Sequence, residues 1–246
     1  MKKFKSSAIC KKITFSSDGF ILRGTLHLPL QEKPPVVIGC HGLLSSSNSP
    51  KQIQLAVQCV THGIAFFRFD HRGCGQSSGI FKKVTSLEAR CNDLICAIDA
   101  IRARQDVGDR MGLFGSSMGG AVCISVAATH HVDALVTFAA PVRSSSITFS
   151  SEKSEETNGP GPSFYKNNLE SDISERFSSI KNILILHGDS DNLVPPSNAQ
   201  EIFEKACEPK KLIMQKGGDH RMSNEEHQKN FLQEAILWYR NYLDTK

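Results

Sequence analysis

The residues of this chain that suggest chemistry are a serine, an aspartate and a histidine far apart in sequence. Ser117 stands at the centre of Gly115-Ser116-Ser117-Met118-Gly119, a G-x-S-x-G pattern that presents a nucleophile where a strand turns sharply into a helix. A serine there adopts a strained backbone, and glycines flank it because a Cβ would meet the neighbouring strand or helix. Its hydroxyl is a poor nucleophile at neutral pH, so it requires a base, and the base an acid to orient it. Of the later histidines, His130 and His131 end the elbow helix, His187 closes a strand and His227 lies on the last helix. His220, in Gly217-Gly218-Asp219-His220 after the last strand, sits in a glycine-rich loop from which an imidazole can reach over a sheet end. For the acid, Asp189 and Asp191 compete. Asp189 directly follows Gly188 and reads as a brace for the turn; Asp191, further out and before Leu193-Val194-Pro195, is favoured. The plain alternatives are a glycine-rich turn without chemistry and a surface-loop histidine.

These residues need a frame. Residues 13–15 and 20–28 flank the turn Asp18-Gly19 and read as an antiparallel hairpin. Near-continuous apolar runs at 36–40, 64–69, 109–114, 134–139 and 183–186, with 211–215 last, read as strands, most of them buried on both faces. Between them, helical spacing appears at 50–62, 87–104, 120–128, 196–207 and 224–243, with Ser86 as an N-cap. Alternating strands and helices predict an α/β fold with a doubly wound, mostly parallel sheet, its functional loops at the carboxyl ends of the strands. The loops holding Ser117, Asp191 and His220 all fall at such ends.

Composition narrows the alternatives. The 246 residues suit one α/β domain spanning 1–246, and 39% hydrophobic with 22% charged residues is ordinary for a globular protein. The net charge of +4 comes from scattered lysines and arginines, without the concentrated basic face that nucleic-acid binding calls for. No apolar run reaches the ~18 residues of a transmembrane helix, and the start of the chain has no apolar core of a secretory signal. The expected setting is therefore cytoplasmic, with neither membrane nor nucleic acid as a partner. None of the eight cysteines forms a C-x-x-C pair, so they read as reduced, mostly buried apolar groups, with no zinc spacing among them.

With these residues in place, the sequence resembles serine hydrolases of the α/β-hydrolase superfamily. The branch is the one that holds bacterial carboxylesterases, feruloyl and cinnamoyl esterases and serine-aminopeptidase-like hydrolases. The resemblance rests on His41-Gly42-Leu43, Asp70-His71-Arg72-Gly73-Cys74-Gly75-Gln76-Ser77, the elbow pentapeptide, the H-G-x-x-D-x-x-V-P stretch from His187 to Pro195, and Gly218-Asp219-His220. It implies Ser117 as nucleophile, His220 as base and Asp191 as acid. It also implies an oxyanion hole built from the backbone N–H groups of Leu43 and Met118, and a structural role for the 70–77 stretch beside that turn. No metal or organic cofactor is implied.

The chain departs from many relatives after Pro141. A short, polar, serine-rich lid insertion of about 142–178, aperiodic from Val142 to about Asn168, stands where a larger apolar lid is common. Within it Phe149, Phe164 and Tyr165 are candidate substrate-binding residues, and a solvated loop is the plain alternative. The expected function is hydrolysis of a small or medium carboxylic ester through an acyl-enzyme on Ser117. A thioesterase or an aminopeptidase-like amide hydrolase are the rivals, the latter with Glu155 or Glu156 as candidate anchors. A non-catalytic binding protein on the same fold is the reading from a different class.

Overall fold

The structure, a computed structural model, describes residues 9–147 and 168–244. Eight strands form one sheet in the order β1-β2-β4-β3-β5-β6-β7-β8. They are β1 Ile9–Ser17, β2 Phe20–Leu28, β3 Val36–Cys40, β4 Ala65–Asp70, β5 Met111–Ser116, β6 Ala134–Phe138, β7 Ile183–Gly188 and β8 Lys210–Gln215. The β1–β2 and β2–β4 pairs are antiparallel and the rest parallel. This is the doubly wound, mostly parallel sheet expected.

β3, β5, β6 and β7 are buried almost throughout, which is why they read as continuous apolar runs. Helices α3 (Leu87–Arg102), α4 (Met118–Ala127) and α5 (Ser197–Lys205) pack Leu94, Ile98, Val122 and Ile202 on one face. Helices α1 (Pro50–Thr61) and α6 (Glu225–Leu243) cover the other with Leu55, Phe231 and Tyr239. The fully buried Tyr239 hydroxyl donates to the Leu113 carbonyl at 2.8 Å, tying α6 to the strand that leads to the elbow.

Several bounds differ from those expected, for physical reasons. β1 begins at Ile9 because its backbone pairs with β2 from Ile9↔Leu28 onward, although its side chains are mostly exposed and carry little apolar signal. β5 runs from Met111 to Ser116, because Gly115 and Ser116 still pair with Cys40 and Phe138 across the ladders. α3 stops at Arg102 and starts on Ser86, whose hydroxyl accepts the Ala89 N–H at 3.0 Å. Three short elements had no periodicity to announce them: the four-residue helix α2 (Phe81–Val84) and the 3₁₀ stretches at Ser144–Ser146 and Ser174–Ser179, the latter burying Phe177. Among the described residues all cysteines are free, no group of side chains can hold a metal ion, and no helix is long and apolar enough to cross a membrane.

Candidate active site

β5 ends at Ser116 and α4 begins at Met118, so the whole reversal falls on Ser117. Its φ of 54° and ψ of −127° lie outside the regions open to L-residues without strain. The neighbours enforce it. A Cβ at Gly115 would collide with the backbone of Gly119, and one at Gly119 with the Cys40 carbonyl. The turn is pinned by the Ser117 N–H on the Phe138 carbonyl (2.8 Å) and by the Gly120 N–H on the Ser117 carbonyl (2.7 Å).

Ser117 Oγ stands 3.0 Å from His220 Nε2, and His220 Nδ1 stands 2.8 Å from Asp191 Oδ2. Three residues from three strand ends thus form one hydrogen-bonded row. The Asp191 side chain is fully buried, whereas the imidazole is 19% exposed. Burial alone would raise the Asp191 carboxyl. Hydrogen bonds from His187, His220 and the Val194 N–H outweigh it and hold the group well below the usual carboxylate range. The other oxygen, Oδ1, takes the N–H groups of Leu193 and Val194, each at 2.9 Å. A hydroxyl, an imidazole and a fixed carboxylate so arranged can pass the serine proton to the ring while the carboxylate stabilises the cation formed.

The loops that carry the acid and the imidazole are stitched together. The Ser190 N–H donates to the Gly218 carbonyl (3.0 Å) and the Asp189 N–H to the Gln215 carbonyl (3.1 Å). Asp189 Oδ1 accepts the Gly217 N–H at 2.6 Å and lies outside the row. Gly188 is required because a Cβ there would occupy the path of the Gly218 backbone. Lys51, at the start of α1, donates to the Arg221 carbonyl at 2.7 Å, and burial lowers its amine to about 8.

The His41-Gly42-Leu43 turn lies against the elbow: a Cβ on Gly42 would stand 3.5 Å from Ser117 Cβ. The N–H groups of Leu43 and Met118 donate to no other group among the described residues. Behind the turn sits the 70–77 stretch. Asp70 Oδ1 accepts the Ser47 N–H (2.7 Å), Oδ2 accepts the Gln76 N–H (2.9 Å), and the Ser77 hydroxyl donates to the Asp70 carbonyl (2.6 Å). His71 and Arg72 grip the buried Asp93 of α3.

Phe149, Phe164 and Tyr165 lie outside the described residues, as do Glu155 and Glu156. Among the described residues, the apolar surface that adjoins the elbow is formed by Met118 and Leu169, which pack with Leu43, Phe81 and Leu87. Leu169 lies only a few residues beyond the candidates chosen from sequence, and Phe81 sits on a helix too short to announce itself.

His187, near the end of β7, also belongs to the site. It is fully buried, and its Nε2 lies 2.9 Å from the Val194 carbonyl and 3.3 Å from Asp191 Oδ2, the same carboxylate oxygen that His220 meets, so it helps to fix the acid. Arg90 was missed. A cation three residues after Leu87 and four before Leu94, on the apolar stripe of α3, was the signal for it.

The model of the serine aminopeptidase S33 family matches residues 31–158, just over half of the chain, including both the His41 turn and the elbow. An uncharacterized protein of Salmonella typhi, YfhR, is 29% identical over 97% of this chain and 82% of its own length. The palmitoyl-protein thioesterase ABHD10 of Rattus norvegicus mitochondria is 28% identical over 78% of this chain and 71% of its own. Among solved structures, the esterase Pf2001 of Pyrococcus furiosus superposes with a TM-score of 0.80, covering 99% of this chain and 96% of that one. At 18% identity that likeness is one of fold. The chain is therefore a hydrolase of the α/β-hydrolase fold and belongs to the serine aminopeptidase S33 family.

Proposed function

We propose that this protein is a serine hydrolase that cleaves carboxylic esters of small or medium acyl groups through an acyl-enzyme on Ser117. The observation that carries the reading is the row of Ser117, His220 and Asp191, spaced 3.0 and 2.8 Å apart. In this reading His220 Nε2 takes the serine proton as Oγ attacks the carbonyl carbon, and Asp191 holds the ring with Nδ1 protonated. The N–H groups of Leu43 and Met118 receive the oxyanion, each worth about 3 kcal/mol in the transition state. His220 then returns the proton to the departing alkoxide, and a water activated by the same ring hydrolyses the acyl-enzyme. The apolar cluster of Met118, Leu169, Leu43, Phe81 and Leu87 supplies a wall for the acyl group.

A thioester is the second reading. It is favoured by the similarity to a palmitoyl-protein thioesterase and by that same apolar wall. A panel of p-nitrophenyl esters, acyl thioesters and aminoacyl amides, run on wild type and Ser117→Ala, tests both. Esters should turn over at least about 10³-fold faster than with Ser117→Ala. Thioesters preferred over their oxygen analogues would establish the second reading. Amides preferred over both would overturn the two.

A further inference from the structure

Arg90 is the largest fully buried side chain described, and its guanidinium has no carboxylate ion-pair partner among the described residues. What surrounds it is the turn before α1. One terminal nitrogen donates to the carbonyls of His41 (3.4 Å) and Gly42 (3.3 Å), and the other to the Leu43 carbonyl (3.0 Å) and the Cys74 thiol (3.4 Å). Three consecutive carbonyls converge on one charge. A buried cation is costly unless polar groups replace its water, so those carbonyls are held firmly in that direction. The Gly42 carbonyl is held a second time by His41 Nδ1–H at 2.7 Å. Burial first, then the charges of Arg90 and His71, push the His41 imidazole well below its ordinary range, so the ring is neutral. Its Nε2 then accepts the His71 N–H at 3.2 Å.

In a trans peptide the C=O and the following N–H are coplanar and point in opposite directions. Fixing the Gly42 carbonyl inward on Arg90 therefore fixes the Leu43 N–H in the opposite direction, away from the guanidinium, in a turn that lies against Ser117. We propose that Arg90 is a positioning residue, whose guanidinium gathers the carbonyls of the 41–43 turn and so aims the Leu43 N–H at the oxyanion. The inference rests on the oxyanion role of Leu43 given above, and it makes the catalytic geometry of the turn depend on a side chain of α3. Lysine is a poor substitute, because a compact ammonium on a flexible stem lacks the planar fork that spans three acceptors.

The test compares wild type, Arg90→Lys and Arg90→Gln on a p-nitrophenyl ester and on a trifluoromethyl ketone, which adds to a serine as a tetrahedral oxyanion. Rates are normalised to folded enzyme from thermal denaturation. Arg90→Lys should lower kcat by about 10- to 100-fold, weaken ketone inhibition by the same factor and leave KM within about two-fold. In a Leu43→Pro background, which has no N–H at that position, Arg90→Lys should cost no further kcat. Wild-type kcat in folded Arg90→Lys, a loss confined to KM or to melting temperature, or independent losses in the double variant would each overturn the proposal. If Arg90→Lys does not fold, Arg90→Gln carries the same readouts. Unchanged kcat in Leu43→Pro alone would sink the oxyanion reading itself, and this proposal with it.

Discussion

At the scale of single residues, the division of labour between two neighbouring aspartates is the sharpest question. Asp191 meets His220 directly, whereas Asp189 accepts the Gly217 N–H and braces the loop. Asp191→Asn should lower kcat on the order of 10³-fold or more, because the amide favours the wrong imidazole tautomer. Asp189→Asn should keep kcat within a few-fold and lower the melting temperature. A kinetic loss in well-folded Asp189→Asn with Asp191→Asn near normal would reverse the assignment. The depressed Asp191 carboxyl also gives a sign: its ionised form persists as pH falls through the ordinary carboxylate range near 4, so kcat has no acid limb from Asp191 above that range. Ser117, Asp191 and His220 were readable because each sits in a loop whose glycines and prolines mark a strand end. His187 and Arg90 were not, since strand burial and helical periodicity describe where a residue lies and leave out which polar group it meets there.

At the scale of elements, α3 does more than cover the sheet. It delivers Asp93 to His71 and Arg72 at the end of β4, and Arg72 also reaches Ser17 and Asp18 at the β1–β2 turn. Burial alone would raise the Asp93 carboxyl. The hydrogen bonds from His71 and Arg72 prevail and hold it down to about 2, against an ordinary 3.8. A folded pKa depressed in this way stabilises the protein above about 4, on the order of 2 kcal/mol, and the contribution is lost as pH falls toward 2. Asp93→Asn should therefore melt several degrees below wild type at pH 7, with the gap closing between pH 4 and pH 2. A gap independent of pH would contradict this account of the network. The helix itself was legible from the stripe of Leu87, Leu94, Ile98 and Ile101 and from its Ser86 cap. The extra length of β1 was not, because backbone pairing with β2 sets it while its side chains face solvent.

At the scale of the whole molecule, the alternation of buried runs and amphipathic stretches made the doubly wound sheet readable, and the sheet brings three distant loops to one end. The insertion follows β6, the strand beside the one that leads to the elbow. Its flanks are anchored: Arg143 bridges Asp172 and pairs with Glu201 at 2.6 Å, and the Val142 N–H donates to Asn198 at 2.8 Å. Leu169, just past residues 148–167, packs on Met118 beside Ser117. Replacing 148–167 with a short glycine/serine linker should lower kcat/KM for bulky acyl or aryl esters several-fold more than for acetyl esters. An equal response of all esters would place specificity in the core loops and in the Met118–Leu169 wall alone.

The central claim, a serine made nucleophilic by His220, is tested most directly by covalent labelling with a fluorophosphonate probe, read out by mass spectrometry of the digested protein. The probe should modify Ser117 stoichiometrically in wild type and leave Ser116 unmodified. Labelling should slow by orders of magnitude in folded His220→Ala and vanish in Ser117→Ala. Absence of labelling in wild type, or labelling at full rate without His220, would contradict the account.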